Sequence, residues 1–227
     1  LKSMLETKAL NPGRLHQNEA RQIWLGRPSA RPRVGFLFPG QGSQKLNMAG
    51  ILVERFQWAR ELVQLADLLS EEFGVRSLSH VMYPPIDQAR DAEQIDAWFR
   101  ELSLTANAQP AICLASILWF RFLGELGITP VTVGGHSLGE ATAFYAAGAF
   151  DETALLRFAY RRGQAMSQCQ AKDGAMLSLR CSRRQIESLL EKISDGFVAL
   201  ANINAPNQMV ASGELHSIEQ LSRLAKA

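Results

Sequence analysis

The sequence predicts an α/β fold: a mostly parallel sheet with flanking helices and a nucleophile elbow, followed by a smaller ferredoxin-like subdomain that is incomplete at its C-terminus. Three observations support this prediction. Short apolar runs typical of buried parallel strands alternate with longer helical patterns. A serine flanked by glycines stands where a predicted strand gives way to a helix, as in a nucleophile elbow. After Gly174 the predicted order becomes β-α-β-β-α, which is the ferredoxin-like pattern without its last strand.

Residues 1–32, which precede the first predicted strand, have the composition of an interdomain linker. They contain Pro12, Pro28 and Pro32 and no long apolar period. Residues 1–33 carry seven Lys/Arg and two Asp/Glu, a net charge of +5 that leaves −3 for the remainder. A basic arm that binds phosphates is the alternative interpretation of this segment.

The first predicted strand, residues 34–38, leads into the glycine-rich loop Pro39-Gly40-Gln41-Gly42-Ser43-Gln44. Its glycines let the backbone approach a ligand, and N–H groups around Gln41 can donate to an anionic oxygen. A phosphate-binding loop or a plain turn is the alternative, although no Lys-Ser/Thr pair completes a P-loop. Apolar positions from Leu52 to Phe73 then predict a helix packed on a sheet. A second helical region covers residues 98–123, where Gln109-Pro110 is predicted to open a buried helix over residues 111–123.

The predicted strand 130–134 runs directly into Gly135-His136-Ser137-Leu138-Gly139. A Cβ at either flanking glycine would collide with the strand or the following helix. The helix over residues 138–147 directs its free N–H groups and its dipole toward Ser137, where an oxyanion would form. Such a pentapeptide also occurs as an ordinary turn, but together with the loop at residues 39–44 it predicts a two-part oxyanion hole.

Arg162 lies on the predicted apolar face of the helix that begins at Asp151. That face contains Leu155, Phe158, Ala159, Ala165, Met166 and Cys169. A guanidinium on a buried face requires an anionic partner, because an unpaired buried charge costs several kcal/mol. From the residues alone, an ion pair with an Asp or Glu of this chain is the simpler interpretation.

The C-terminal part contains predicted strands at residues 175–179, 198–203 and 208–211, with helices over residues 183–193 and after the last strand. We therefore expect a large subdomain over residues 33–172 and a partial small subdomain over residues 173–227. The amphipathic pattern continues to Ala227, so we expect a piece of a larger polypeptide.

Composition permits an ordinary globular protein, with 47% hydrophobic and 20% charged residues. The net charge of +2 gives no indication of nucleic acid binding. Cys113, Cys169 and Cys181 have no metal-binding or disulfide spacing, so we expect reduced thiols, no metal and no cofactor. No signal-peptide core or membrane span is predicted, and a cytoplasmic location is expected.

Four motifs together resemble the malonyl-CoA:acyl carrier protein transacylase family. Within it, their sequences are most similar to those of acyltransferase domains of type I polyketide and polyunsaturated fatty acid synthases. The resemblance extends from about Val34 to near the end of the chain. The motifs are Phe38-Pro39-Gly40-Gln41-Gly42-Ser43-Gln44, Gln109-Pro110-Ala111-Ile112, Gly135-His136-Ser137-Leu138-Gly139-Glu140, and Arg162-Gly163 with Met166.

The resemblance implies malonyl transfer through an acyl-serine to the phosphopantetheine thiol of an acyl carrier protein, within a synthase that has further domains. It implies that Arg162 binds the malonyl carboxylate rather than an internal Asp or Glu. The other implied roles are Ser137 as nucleophile, Gln41 and Leu138 as backbone oxyanion donors, Gln109 and Met166 as pocket residues, and Asn202 and Asn204 as residues that face the cleft.

None of the four histidines suits the role of general base. His136 is adjacent to Ser137, His16 lies in the linker, and His80 and His216 are expected at loop or surface positions. In the resembled family this histidine comes later, so we expect it beyond Ala227. The positions that determine selectivity between malonyl and methylmalonyl groups are expected there too. We therefore expect low activity from residues 1–227. Two alternatives remain: a serine hydrolase such as an editing thioesterase, and a non-catalytic module that docks a carrier protein.

Overall fold

The computed structural model describes residues 15–18, 23–26, 33–168 and 174–226, which divide into two compact units, residues 1–164 and 165–227. The division lies earlier than the predicted boundary at residue 172, within a helix. The first unit contains β1 (Leu15–Asn18), β2 (Ile23–Gly26), β3 (Gly35–Phe38), α1 (Gly50–Arg55), α2 (Gln57–Glu72), α3 (Leu78–Met82), a 3₁₀ turn (Ile86–Gln88), α4 (Ala92–Ser103), α5 (Thr105–Glu125), β4 (Thr132–Gly135), α6 (Leu138–Ala146) and most of α7 (Glu152–Gln168).

Strands β3 and β4 form the parallel pair on which the predicted loops stand. Their register runs from Gly35 opposite Thr132 to Phe38 opposite Gly135. Because both strands are parallel and end level with each other, the loop after β3 and the turn after β4 leave the sheet at one edge. The α/β class is thereby confirmed. Within the predicted linker, β1 and β2 form a separate antiparallel pair.

Helix α5 forms the centre of the first unit, because nearly every residue from Ala108 to Leu118 is buried. Pro110 lies inside this helix, so the prediction that it opens the helix is wrong. The helix is already established at Thr105, and a proline in its second turn removes one backbone donor without ending it. Among the described residues no single helix is long and apolar enough to cross a membrane; α4 and α5 meet that test only as a pair, bent by 85°.

The apolar stripe from Leu52 to Phe73 is divided between two helices. Phe56 separates α1 from α2 with φ −116° and ψ 131°, an extended conformation that interrupts the helix. The stripe still faces the core, where Leu52, Ala59 and Ala66 are buried. Periodicity therefore identified the buried side of both helices correctly, although it did not reveal the break.

The second unit is a three-stranded antiparallel sheet with two helices. It contains β5 (Gly174–Leu179), α8 (Arg183–Leu190), β6 (Val198–Ala205), β7 (Gln208–Glu214) and α9 (Leu215–Lys226), and the strand order is β5-β7-β6. The predicted β-α-β-β-α order is confirmed, with β6 and β7 longer than expected. Its small core consists of Ile186, Met209, Ala211, Ile218 and Leu221.

Candidate active site

Ser137 occupies a strained turn between β4 and α6. Its φ of 54° and ψ of −110° place a non-glycine residue in a backbone region that L-amino acids seldom adopt. The Ser137 N–H donates to Glu140 Oε1 at 3.1 Å, which stabilises the first turn of α6. The side chain of Ser137 is exposed. The turn thus presents the hydroxyl to solvent, as a nucleophile elbow requires.

Glycine is required on both sides of this serine because of backbone neighbours. A Cβ at Gly139 would lie 2.7 Å from the Phe38 carbonyl carbon and would collide with its oxygen. A Cβ at Gly135 would collide with the Gly139 carbonyl. The steric reason predicted for the two glycines is therefore confirmed, and it shows how closely α6 approaches the end of β3.

The glycine-rich loop after β3 contacts the elbow. A Cβ at Gly40 would lie 2.8 Å from the His136 carbonyl oxygen and 3.7 Å from Ser137 Cβ. In the part of the chain that the structure describes, neither the Gln41 N–H nor the Leu138 N–H has an intramolecular acceptor. Both amides therefore keep a free donor in the described residues, and their role as oxyanion donors stays a prediction.

Arg162 connects the serine to the centre of α5. Its Nη1 donates to Gln109 Oε1 at 2.7 Å, and its Nη2 donates to Ser137 Oγ at 3.2 Å. Gln109 is fully buried, whereas Arg162 is half-buried. Across residues 33–168 and 174–226, no carboxylate forms an ion pair with Arg162. The described residues therefore contain no internal ion pair of the kind that the residue pattern suggested for Arg162.

The face of α7 that packs into the core differs from the predicted one. Phe158 and Met166 are each 46% exposed. The residues that are buried are Leu155, Leu156, Ala159, Tyr160 and Gly163. A Cβ at Gly163 would lie 3.0 Å from the Thr105 carbonyl oxygen and 3.0 Å from Ala106 Cα. This glycine lets α7 approach the start of α5, and the approach brings Arg162 near Gln109.

A buried thiol lies beneath the site, one helical turn after Gln109. Cys113 Sγ is 3.7 Å from Thr142 Oγ1 on α6. Burial raises the pKa of the Cys113 thiol from 9.0 to about 12, although the hydrogen bond to Thr142 and the charge of Arg162 act in the opposite direction. The thiol is therefore protonated at neutral pH and chemically inert, as expected for a structural cysteine. Cys169 lies outside the described residues.

The remaining predicted site residues belong to the second unit. Met166 lies in the last turn of α7. Asn202 is half-buried and Asn204 is exposed, and both lie in β6 rather than in a turn. Asn202 pairs with Val210 of β7, and the register of β6 against β7 shifts between Leu200 and Asn202 and again between Ile203 and Ala205. Their predicted roles at the site stay predictions.

No described histidine of the first unit bonds to the serine. Residues 33–164 contain His80 and His136, and neither ring hydrogen-bonds Ser137 Oγ, whose bond from another side chain comes from Arg162. His216 begins α9 in the second unit, with Nε2 at 3.7 Å from Glu214 Oε2. The predicted histidine beyond Ala227 stays a prediction.

Sequence reasoning left out two residues that hold the site together. Glu140 accepts the Ser137 N–H, and the spacing Ser137-x-x-Glu140 is the capping-box signal that could have identified it. Thr105 accepts a hydrogen bond from Gln41 Nε2 at 3.1 Å, a contact between distant segments for which the sequence carries no local signal.

Known proteins match this chain along most of its length. The malonyl CoA-acyl carrier protein transacylase of Bacillus subtilis is 37% identical over 198 residues, which are 86% of this chain and 57% of that protein. The squalestatin tetraketide synthase of Phoma sp. is 32% identical over 214 residues, which are 92% of this chain and 8% of the synthase. This chain therefore spans little more than half of the first relative and a small part of the second.

A solved structure supports the same assignment. It contains a malonyl-transacylase in complex with a type II polyketide synthase acyl-carrier protein, and the match is 28% identical with a TM-score of 0.69. The match covers 86% of this chain and 59% of that chain. Residues 35–227, which include the elbow, the glycine-rich loop and Arg162, match the family described as acyl transferase domain. The chain belongs to the acyl transferase domain family.

Proposed function

We propose that this domain transfers a malonyl group from malonyl-CoA to the phosphopantetheine thiol of an acyl carrier protein. Ser137 Oγ attacks the thioester carbonyl, and the carbonyl oxygen becomes an oxyanion held by the Gln41 and Leu138 amides. The C–S bond then breaks, the coenzyme A thiol takes up a proton, and a malonyl-serine ester remains. Attack by the carrier thiol on this ester reverses the sequence and releases Ser137.

The observation that carries this proposal is the environment of Arg162. Its guanidinium is half-buried beside the nucleophile, with an amide and a hydroxyl as partners in place of a carboxylate. A charge in that setting is best stabilised by an anionic ligand, and the planar guanidinium suits a bidentate carboxylate. A malonyl group places a carboxylate a short distance from the thioester carbonyl. An acetyl group has none and leaves the arginine without an anionic partner.

Gln109 supports this role through its buried amide. Its Oε1 accepts from Arg162 Nη1 at 2.7 Å, which fixes one edge of the guanidinium. The opposite edge, at Nη2, points to Ser137 Oγ at 3.2 Å. A carboxylate that binds at this second edge therefore reaches the arginine within range of the reacting carbonyl.

The proton acceptor for Ser137 is assigned in this proposal to the histidine predicted beyond Ala227. The synthase context and the carrier-protein partner are likewise proposed, since they derive from relatives that are longer than this chain. The Bacillus subtilis relative is named for its action on acyl carrier protein, and the Phoma relative is a polyketide synthase. An acyl carrier protein is accordingly the partner that we propose.

Intact mass after incubation with malonyl-CoA or acetyl-CoA tests the proposal. Two proteins are compared, each as wild type and as Ser137→Ala: the 227-residue chain, and the larger polypeptide of which we expect it to be a piece, called here the parent polypeptide. We expect a malonyl adduct in the parent protein that is absent from Ser137→Ala, and a much slower adduct in the 227-residue chain. Rapid release of free CoA without an adduct would instead indicate a serine hydrolase, and the absence of both adduct and release would indicate a docking module.

A further inference from the structure

The start of helix α5 contacts the glycine-rich loop through side chains. Gln41 Nε2 donates to Thr105 Oγ1 at 3.1 Å, and Gln44 Nε2 donates at 3.2 Å to the hydroxyl of Ser103, the last residue of α4. Gln44 Oε1 also accepts the Gly42 N–H at 2.8 Å. The two bonds between side chains join the loop to the junction of α4 and α5, more than fifty residues away in the sequence.

The loop needs such anchors because its own backbone is permissive. Gly42 has a φ of 104°, a region open to glycine, and a Cβ there would meet nothing within 4 Å. Gln41 is exposed, so no apolar packing fixes it. Ser43 closes the turn around Gln41 by donating its N–H and its hydroxyl to the Gly40 carbonyl oxygen, and the bond to Thr105 fixes the Gln41 side chain against the helix.

The same first turn of α5 also determines where Arg162 lies. The Thr105 carbonyl oxygen and Ala106 Cα form the surface against which Gly163 packs, at 3.0 Å from a Cβ built there. Gln109, one turn further along α5, binds Arg162. The first two turns of α5 therefore contact both Gln41, the proposed oxyanion donor, and Arg162.

We propose that Thr105 is a positioning residue whose hydroxyl holds Gln41 so that its backbone N–H faces the carbonyl attacked by Ser137. The proposal rests on the function proposed above. Thr105 contacts no substrate in this arrangement and acts only through Gln41. Loss of the hydroxyl therefore lowers the rate of the covalent step and leaves the affinity for malonyl-CoA unchanged.

Three variants test this role. Thr105→Val removes the hydroxyl with little change in shape, Thr105→Ser keeps it, and Thr132→Val makes the same change at an exposed position in β4. The bond to Thr105 is one neutral hydrogen bond, so its loss corresponds to a rate change of about tenfold. We expect Thr105→Val to slow malonylation of Ser137 by about tenfold in the parent polypeptide, with the half-saturating malonyl-CoA concentration unchanged within about twofold.

Amide hydrogen exchange of Gly42 in the 227-residue chain provides a readout that needs no catalysis. The Gly42 N–H donates to Gln44 Oε1, and the neighbouring Gln41 is bonded to Thr105, so Thr105→Val should loosen this part of the loop and accelerate the exchange severalfold. Thr105→Ser should restore both the exchange and the malonylation rate, and Thr132→Val should match the wild type. An unchanged Gly42 exchange rate in Thr105→Val overturns the proposal. So does a slow malonylation rate that Thr105→Ser fails to restore. A change in the half-saturating malonyl-CoA concentration alone overturns it as well.

A wild-type parent protein that forms no malonyl adduct contradicts the proposed function and leaves the role of Thr105 open to a separate test. Phosphonylation of Ser137 by a fluorophosphonate then replaces malonylation, because the phosphonate oxygen enters the same pair of amides. A tenfold slower reaction of Thr105→Val supports the positioning role, whereas equal rates and equal exchange overturn it.

Discussion

Replacement of Gly139 by alanine measures how tightly the elbow is packed on β3. The new Cβ would lie 2.7 Å from the Phe38 carbonyl carbon and 3.0 Å from the Pro39 carbonyl oxygen. Both neighbours are backbone, so no side-chain rotation relieves the overlap, and we assign a cost of about 3 kcal/mol. Alanine is the better helix former by about 0.5–1 kcal/mol. The free energy of unfolding should therefore fall by about 2 kcal/mol.

Gly124→Ala is the matched control. Gly124 also lies in a helix, but a Cβ there would meet nothing within 4 Å. Only the gain in helix propensity applies, so this variant should be more stable by about 0.5 kcal/mol. In a unit of this size the two variants should differ from wild type in Tm by about −6 °C and about +2 °C.

Urea unfolding followed by tryptophan fluorescence measures both variants. All four tryptophans lie within residues 1–164, so the signal reports on the unit that contains the elbow. A Gly139→Ala variant with the wild-type midpoint would refute the reasoning, because it would mean that α6 moves away from β3 at little cost. A loss of stability in Gly124→Ala would refute the propensity argument.

Three further predictions concern charge, burial and hydrogen bonding. Arg162→Gln should lower the ratio of malonyl to acetyl transfer about a hundredfold, since a charged hydrogen bond contributes about 1.5–3 kcal/mol. Competition between malonyl-CoA and acetyl-CoA, followed by intact mass, measures this ratio. Arg161→Gln, at an exposed position, is the control and should keep the wild-type ratio. Cys113, whose pKa is raised from 9.0 to about 12, should stay unmodified by a thiol reagent at pH 8 until urea unfolds the chain. Its contribution to stability is complete below pH 9.0 and is lost as the pH rises toward about 12, because the unfolded thiol ionises first; alkaline titration of the urea midpoint against Cys113→Ala measures it. Tyr160→Phe removes hydrogen bonds to Ser70 Oγ at 2.7 Å and to the Ala66 carbonyl oxygen at 3.0 Å, and should cost about 1–2 kcal/mol in urea unfolding.

The local chemistry of the site could be predicted from the sequence because it depends on short motifs. The apolar run before Gly40 predicts a strand, and the glycines around Ser137 predict a tight turn between a strand and a helix. The structure contains both the strand and the turn. The same reasoning failed at Pro110, where the pattern suggested a helix start. Packing around α5 decides that point, and it involves residues far away in the sequence.

Contacts between distant segments explain the other differences. The extended Phe56 and the left-handed Asn47 and Ala49, with φ of 58° and 60°, have no turn-forming dipeptide to announce them. The face of α7 was predicted from apolar periodicity, which counted Phe158 as buried. The tight approach of Gly163 to α5 rotates the helix so that Phe158 is exposed instead.

The bond from Arg162 to Ser137 has a consequence for the order of events in the proposed reaction. The guanidinium donates a hydrogen bond to one lone pair of the Ser137 hydroxyl, and a hydrogen bond from a cation makes an oxygen a weaker nucleophile. A carboxylate competes for the same N–H group, so its arrival frees the hydroxyl at the moment the acyl group is in place. A thioester whose acyl group has no carboxylate leaves the bond from Arg162 to Ser137 in place. In the proposed reaction, a malonyl group would then be preferred for two reasons: its carboxylate binds Arg162, and this binding releases the Ser137 hydroxyl for attack.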